Sequence, residues 1–323
     1  METEQFENIQ HNAKVISFIN MKGGVGKTTL TKEIGYHLSH YHSDNQQPKK
    51  VLLIDIDPQI NLTQAMFKKY DFAQTTELAE RIKEKEKEEK EENKSISKKI
   101  KISKKSISKI FQSASLMSVS VDDTIQSLDE NLSIIPGELG IEFLTRNLNS
   151  GQIENGIYEF IRVNNLRSIY DFILIDCPPT FSSYTAAALK PSDYYIIPVN
   201  PEEYSTLGVN MLLEVVKSIV ENNSLFFATK PLNNLGVIFT DIDKNPQKWV
   251  TNFIEDMINS KKFKESNLYF FKEKLIHNSY IKKDMSYFID DSNSEINSKP
   301  NLQKIVDQII ERIENIETSN FSS

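Results

Sequence analysis

The sequence has one cysteine, Cys177, and that scarcity excludes an intrachain disulfide and a CxxC metal site. It has no apolar run near the ~18 residues that a bilayer-spanning helix needs. Its first residues, METEQFENIQHNAK, are acidic and polar and carry no apolar signal core. Nor is there an excess of basic charge: 38 lysines and arginines stand against 45 aspartates and glutamates, a formal net charge of −7. A protein of that charge meets nucleic acid through a local basic patch, not through its overall field. These absences point to a cytoplasmic protein. What is present is ordinary for a folded chain: 323 residues, 39% hydrophobic and 26% charged, which suits one α/β domain with an elaboration.

Short, nearly unbroken apolar runs recur at 14–20 (KVISFIN), 51–57 (VLLIDID), 132–137 (LSIIPG), 171–178 (DFILIDCP), 193–200 (DYYIIPVN) and 235–242 (LGVIFTDI). Runs of this kind suit strands buried on both faces, and helical stretches such as TTLTKEIGYHLSHY and TLGVNMLLEVVKSIV lie between them. The pattern predicts a doubly wound, mostly parallel sheet flanked by helices, with residues 1–323 forming a single domain.

Two segments stand apart. Residues 80–109 are dominated by charge and read as an insertion; within them, 94–109 hold seven lysines and no acid, interleaved with Ile96, Ile100, Ile102 and Ile107. Such a run is a solvated face or loop, or else a contact for DNA or anionic lipid. At 300–317, Leu302, Ile305, Val306, Ile309, Ile310, Ile313 and Ile316 recur at helical spacing. The polar face of this amphipathic helix carries two basic and four acidic groups, so docking onto the sheet suits it better than an anionic membrane does.

The chemistry concentrates in three stretches. MKGGVGKTT, residues 21–29, follows a predicted strand and opens a predicted helix, the context of a phosphate loop. Backbone amides of Gly23, Gly24, Val25, Gly26, Lys27 and Thr28 can wrap phosphate oxygens at the positive end of a helix dipole. Lys27 suits the β- and γ-phosphates, the Thr28 hydroxyl suits Mg²⁺, and Thr29 suits a neighbouring phosphate. Second, VLLIDIDPQINLT puts Asp55 and Asp57 on one face at a strand's carboxyl end, beside the phosphates; one of them could instead cap the next helix. Third, four apolar residues precede Asp176 in DFILIDCPPT, a Walker B pattern whose carboxylate suits Mg²⁺. Cys177, next to it, has no histidine nearby in sequence and reads as structural.

The phosphate loop departs from G-x-x-x-x-G-K-[ST], because Met21 stands where the first glycine belongs and a second lysine, Lys22, follows. This K-G-G-x-G-K-T form, the D-x-D-P-Q segment and the D-x-P-P turn of Asp176, Pro178 and Pro179 resemble the ParA/MinD family of deviant Walker A ATPases, ParA/Soj-type partitioning proteins above all. The resemblance spans 14–70 and 130–290. It implies a MgATP-dependent sandwich homodimer in which Lys22 of each subunit reaches the other's nucleotide. It further implies that Asp57 orients the attacking water and that Asp55 helps hold the magnesium shell. The family's glycine in the second motif is Ile60 here. IPVNPEEYSTLG resembles the family's I-P-V-x-P segment and, with GVIFTDID, places Pro201 and Thr240 at the adenine. LIHNSYIKKDMSYF aligns with a region that grips DNA in some relatives, although His277 and Asn278 replace its usual Pro and Arg. Lys282 and Lys283 are the DNA candidates there, or an ordinary solvated pair.

The implied function is a slow ATPase for plasmid or chromosome partition. Its ATP dimer holds non-specific DNA at the nucleoid, and a ParB-like centromere-binding partner triggers hydrolysis. Only thirteen residues precede the first predicted strand, so no separate operator-binding domain is expected. The alternative is a MinD-like positioning ATPase on a membrane, which the acidic tail helix disfavours. An iron-protein reductase needs two cluster cysteines per subunit, which Cys177 alone excludes; a bacterial tyrosine kinase needs a tyrosine cluster in its tail, and a last tyrosine at Tyr287 disfavours it.

Overall fold

In the computed structural model the described residues are 12–41, 47–90, 99–112, 119–284, 286–291 and 298–321. Residues 1–11, and residues 94–98 of the lysine-isoleucine tract with Lys94, Ile96 and Lys98, lie outside them.

Among the described residues nine strands form: β1 (Lys14–Phe18), β2 (Val51–Asp55), β3 (Phe72–Ala73), β4 (Lys101–Ile102), β5 (Gln126–Ser127), β6 (Leu132–Ile135), β7 (Phe172–Asp176), β8 (Tyr194–Val199) and β9 (Asn233–Phe239). Seven of them make one sheet in the order β5-β6-β2-β7-β1-β8-β9, parallel except for the short β5; β3 and β4 pair separately, also in parallel. The doubly wound, mostly parallel sheet expected from the apolar runs is the fold observed. β3, β4 and β5 carry no sequence signal because two residues are too few to show a period.

Alternation along each strand serves two cores. Val15, Leu52, Ile173 and Ile197 point to one face, where helices Ser150–Val163, Ser183–Leu189 and Ser205–Asn222 cover them. Ile16, Leu53, Leu174 and Ile196 point to the other, under α1 (Lys27–His40) and the tail helix Ser298–Phe321. The tail helix buries Leu302, Ile305, Val306, Ile309 and Ile313 there, each at most 3% exposed. Each fully buried aliphatic side chain contributes about 1.5–3 kcal/mol.

At the amino ends of the strands, Asp193 accepts from the Val15 amide (2.9 Å), is forked by Arg167 (2.8 and 3.0 Å) and pairs with Lys230 (3.1 Å). That node pins β1 and β8 together at the end away from the phosphate loop. Past β9, Val237 donates to Tyr269 and accepts from Phe271, so residues 269–271 cover the edge strand. Gly236 allows this approach: at φ +130°, a Cβ there would lie 2.5 Å from the Tyr269 carbonyl oxygen.

Strand order brings the site together. β2, β7 and β1 are neighbours, and their registers align Asp55 with Asp176 and Asp176 with Phe18. The three loops that follow these strands therefore emerge side by side at the carboxyl edge of the sheet, the usual ligand position of such folds.

Candidate nucleotide site

The loop between β1 and α1 opens with Asn20, which is buried, donates to the Pro198 carbonyl (2.7 Å) and accepts from the Lys22 amide (3.0 Å). Gly24 and Gly26 then take left-handed φ values of +74° and +88°, and Gly26 caps α1. Both dihedrals turn successive amides inward at low cost only for glycine. Thr240, at the end of β9, ties the loop down by donating to the Val25 carbonyl (2.8 Å). Asn20 is a shaping residue that motif reading missed, since no spacing rule singles it out.

Lys27 is 5% exposed, and its ammonium donates to the Lys22 carbonyl (3.1 Å). Burial pulls its pKa below the ordinary lysine value, opposed chiefly by Asp176. Lys22 does the reverse: its ammonium lies at the surface, 2.5 Å from Glu202 of the loop after β8.

Thr28 donates to one oxygen of Asp176 at 2.6 Å. The other oxygen of Asp176 is buried and has no hydrogen-bond partner. Burial, then the Asp55 charge beside it, pushes the Asp176 carboxyl well above the usual carboxylate range. A buried orphan carboxylate oxygen is costly unless a cation or donor meets it. Asp176 and the adjacent Thr28 hydroxyl thus form the donor set a hard, oxygen-seeking Mg²⁺ takes, and these residues fit that ion.

Asp55 is differently engaged. One of its oxygens accepts from both the amide (2.8 Å) and the hydroxyl (2.7 Å) of Thr63 in α2 (Asn61–Lys69), and the other accepts from the Asp57 amide (3.2 Å). Burial pushes its pKa up to about 7, with the Thr63 bonds pulling the other way. Both readings of this residue meet here: Asp55 lies beside Asp176, and it also satisfies the third amide of the next helix. Asp57, 7% exposed, accepts from the Gln59 amide (2.9 Å) and turns the chain toward α2. Ile60, where the family pattern has glycine, takes φ +50° while fully buried, an uncommon conformation for a β-branched residue.

A cleft beside the loop is lined by Gly24, Gly26, Thr29 and Thr240, and on its far wall by Leu275, Ile276, Asn278 and Ile281. Pro201 is buried outside it. The far wall was not legible as part of the nucleotide site, because the 275–281 segment reaches the loop by tertiary pairing, Ile242 with Ile276 and the Leu275 amide with the Phe239 carbonyl (2.8 Å). The departures at His277 and Asn278 have structural partners: His277 meets Asp241 at 2.6 Å, and Asn278 caps helix Ser279–Lys283 by accepting from the Tyr280 amide. Lys282 and Lys283 fall on that helix, and the Lys283 ammonium sits 5.9 Å from the centre of the Tyr280 ring. Cys177 is fully buried, and burial pushes its thiol up, as a structural cysteine requires.

A family model described as an AAA domain matches residues 13–228, more than half of the chain. The chain belongs to that family and is a ParA/MinD-like P-loop ATPase. Among its relatives, an uncharacterized protein of Methanocaldococcus jannaschii is 30% identical over 72% of this chain and 76% of its own length. A ParA family protein of Mycoplasma genitalium is 26% identical over 80% of the chain and 81% of its own. The sporulation initiation inhibitor Soj of Bacillus subtilis is 29% identical over 64% and 66%. Among solved structures, an ATP complex of McdA from Cyanothece superposes with a TM-score of 0.65 at 20% identity, covering 94% of this ATPase and 97% of that chain. A plasmid partition protein of Borrelia burgdorferi bound to AMPPNP gives 0.61 at 22%, covering 94% and 99%. No helix among the described residues of the ATPase is long and apolar enough to cross a membrane.

Proposed function

We propose that this protein is a partitioning ATPase whose MgATP-bound form is a sandwich dimer that holds non-specific DNA and is reset by hydrolysis. The observation that carries the reading is the division of labour between two lysines at the two ends of the phosphate loop. Lys27 is buried against its own loop, while Lys22 projects to the surface and pairs with Glu202. A lysine so placed is free to trade its exposed partner for a second subunit's phosphates, because a surface ion pair is worth only about 0–1 kcal/mol. Exposed apolar side chains on the loops and helix starts around the site support the same surface: Leu139 and Phe143 after β6, Phe181 after β7, Tyr204 and Leu207 after β8.

In this scheme the amides of residues 23–28, Lys27 and Thr29 hold the triphosphate, and Thr240 and the cleft wall border the adenine, with Pro201 flanking. Thr28 and Asp176, with Asp55 behind them, would hold Mg²⁺, which when bound would neutralise charge on the phosphates. Asp57 orients the water that attacks the γ-phosphorus as the bond to the β–γ bridging oxygen breaks. Lys22 of the second subunit adds positive charge where the leaving oxygens gain negative charge, as an arginine finger does. Turnover is slow alone, and a ParB-like DNA-bound partner accelerates it. Lys282 and Lys283 are candidate DNA contacts, and nucleoid association follows from DNA binding. The membrane-positioning alternative draws no support from the tail helix, whose apolar face is already buried.

The test is sedimentation of wild type and Lys22→Ala with ATP and with ADP. Wild type should dimerise with ATP and dissociate with ADP; Lys22→Ala should still bind ATP but stay monomeric. A normal ATP dimer in Lys22→Ala removes the trans-lysine role.

A further inference from the structure

The lysine-isoleucine tract is a sequence motif that the nucleotide site leaves unused, yet its described part, residues 99–109, is bonded to the wall of that site. β4 pairs with β3, and the Ser103 amide donates to Ala73 (2.9 Å). Beyond it the chain turns inward: Ile107 and Ile110 are at most 1% exposed, and the Ile107 amide donates to the Pro136 carbonyl (2.8 Å). The Ser106 hydroxyl donates to the Glu138 carboxylate (2.6 Å), and Gln74 donates to the Gly137 carbonyl (2.9 Å). The Ser108 hydroxyl adds a longer donation to Glu138 (3.3 Å), so the 136–138 turn is gripped from the insertion side by four bonds.

On its other side the same turn touches the site. The Gly137 amide donates to the Thr63 hydroxyl (2.8 Å), which donates to Asp55, which accepts from the amide of Asp57. There is no slack in this path: a Cβ on Gly137 would meet Ile60 at 2.8 Å and the Asp55 carboxyl carbon at 3.1 Å.

What the insertion offers outward is charge. Lys99, Lys101, Lys104 and Lys109 are exposed, residues 99–112 contain no acid, and no carboxylate among the described residues pairs with these four. Lys105 differs, turning in to donate to the Ile125 carbonyl (2.7 Å). Of the isoleucines described here, Ile107 and Ile110 lie in the core, Ile100 is half-buried, and Ile102 is 42% exposed. A positive face with Ile102 as its one exposed isoleucine among the described residues offers little apolar area to a bilayer and fits a polyphosphate strand better.

We propose that the lysine face of residues 99–109 is a contact for the phosphate backbone of nucleic acid, and that its engagement is transmitted to Asp57 through the 136–138 turn and Thr63. The inference rests on the partitioning reading above and names a surface and a coupling path within it.

The experiment measures binding of the full chain, with ATP and magnesium, to duplex DNA of unrelated sequence across a salt series, and ATP turnover with and without that DNA. The variant carries Lys99→Gln, Lys101→Gln, Lys104→Gln and Lys109→Gln together. The slope of log K against log salt should become shallower by about 0.9 for each lysine that meets a phosphate, so by about 2 or more for this variant. Turnover without DNA should persist, and its response to DNA should be lost. A wild-type slope and response overturn the proposal, as does a variant that loses binding only to vesicles of anionic phospholipid. If wild type itself fails to bind DNA with ATP, the partitioning reading falls too; if wild type binds and the variant matches it, only this inference falls. For the coupling, Thr63→Val should bind DNA with the wild-type slope but lose the DNA response, with Thr63→Ser restoring it. An intact response in Thr63→Val overturns the path.

Discussion

Replacing Thr63 by valine tests how the acidic half of the site is held. The side chain is 1% exposed, and valine keeps its shape while deleting the hydroxyl. Two bonds go: the 2.7 Å donation to Asp55 and the 2.8 Å acceptance from the Gly137 amide. A hydrogen bond to a charged group is worth about 1.5–3 kcal/mol, and a buried amide left without an acceptor costs about 1–3. Asp55 keeps the Thr63 and Asp57 amides, so the losses do not add in full, and about 3 kcal/mol is expected. With an unfolding entropy of about 2.1 cal/mol/K per residue, a 323-residue unit would lose roughly 4 °C in Tm.

The deficit also depends on pH. Asp55 sits at about 7 in the fold, raised by burial, so the stability its protonation contributes is present below the unfolded value of about 4 and is lost as pH rises through 7. Deleting the hydroxyl removes a bond that pulls the pKa down, so the folded value climbs further and more stability is lost on the alkaline side. Each further pH unit of that climb costs about 1.4 kcal/mol. Urea unfolding without magnesium, at about pH 5 and about pH 8, reads both effects. Thr63→Val should be impaired more at the higher pH, with Thr63→Ser near wild type. Equal losses at both pH values, or a serine variant as impaired as valine, refute the reasoning.

With Asp57→Ala, ATP-dependent dimers should outlast those of wild type because hydrolysis fails; unchanged phosphate release removes Asp57 from the catalytic role. Gly26→Ala should weaken nucleotide binding at least tenfold, since the residue stands at φ +88° with Thr240 atoms 3.3 Å from the added Cβ, and calorimetric titration with ATP at wild-type affinity would show that the loop tolerates a side chain.

Much of this molecule was legible along the chain. The buried-strand runs announced a parallel sheet because strands covered on both faces leave no polar alternation, and the glycine-lysine-threonine loop announced itself because close approach to phosphate restricts residue type. Asp55, Asp57 and Asp176 could each be singled out by position at a strand end. Their mutual relations could not. Whether Asp55 faces a metal or holds the next helix depends on Thr63, eight residues on, and the orphan oxygen of Asp176 is a property of what surrounds it. The far wall of the cleft, from Leu275 to Ile281, reaches the loop by a pairing between distant segments that no local pattern encodes. The lysine-isoleucine tract shows the same limit: spacing alone could not tell that Ile107 and Ile110 turn inward while Lys99, Lys101, Lys104 and Lys109 stay out.

By itself, then, the sequence determined the chemistry at short range: which residues can cradle phosphate, which strands are buried, and that a surplus lysine stands at Lys22. Tertiary structure alone decided which carboxylate is satisfied and which is left open, where Lys22 points, and how the insertion is joined to the site. The reason is physical. Backbone preference and apolar period act over a few residues, whereas desolvation, hydrogen-bond satisfaction and charge pairing are set by neighbours that the fold brings from elsewhere in the chain.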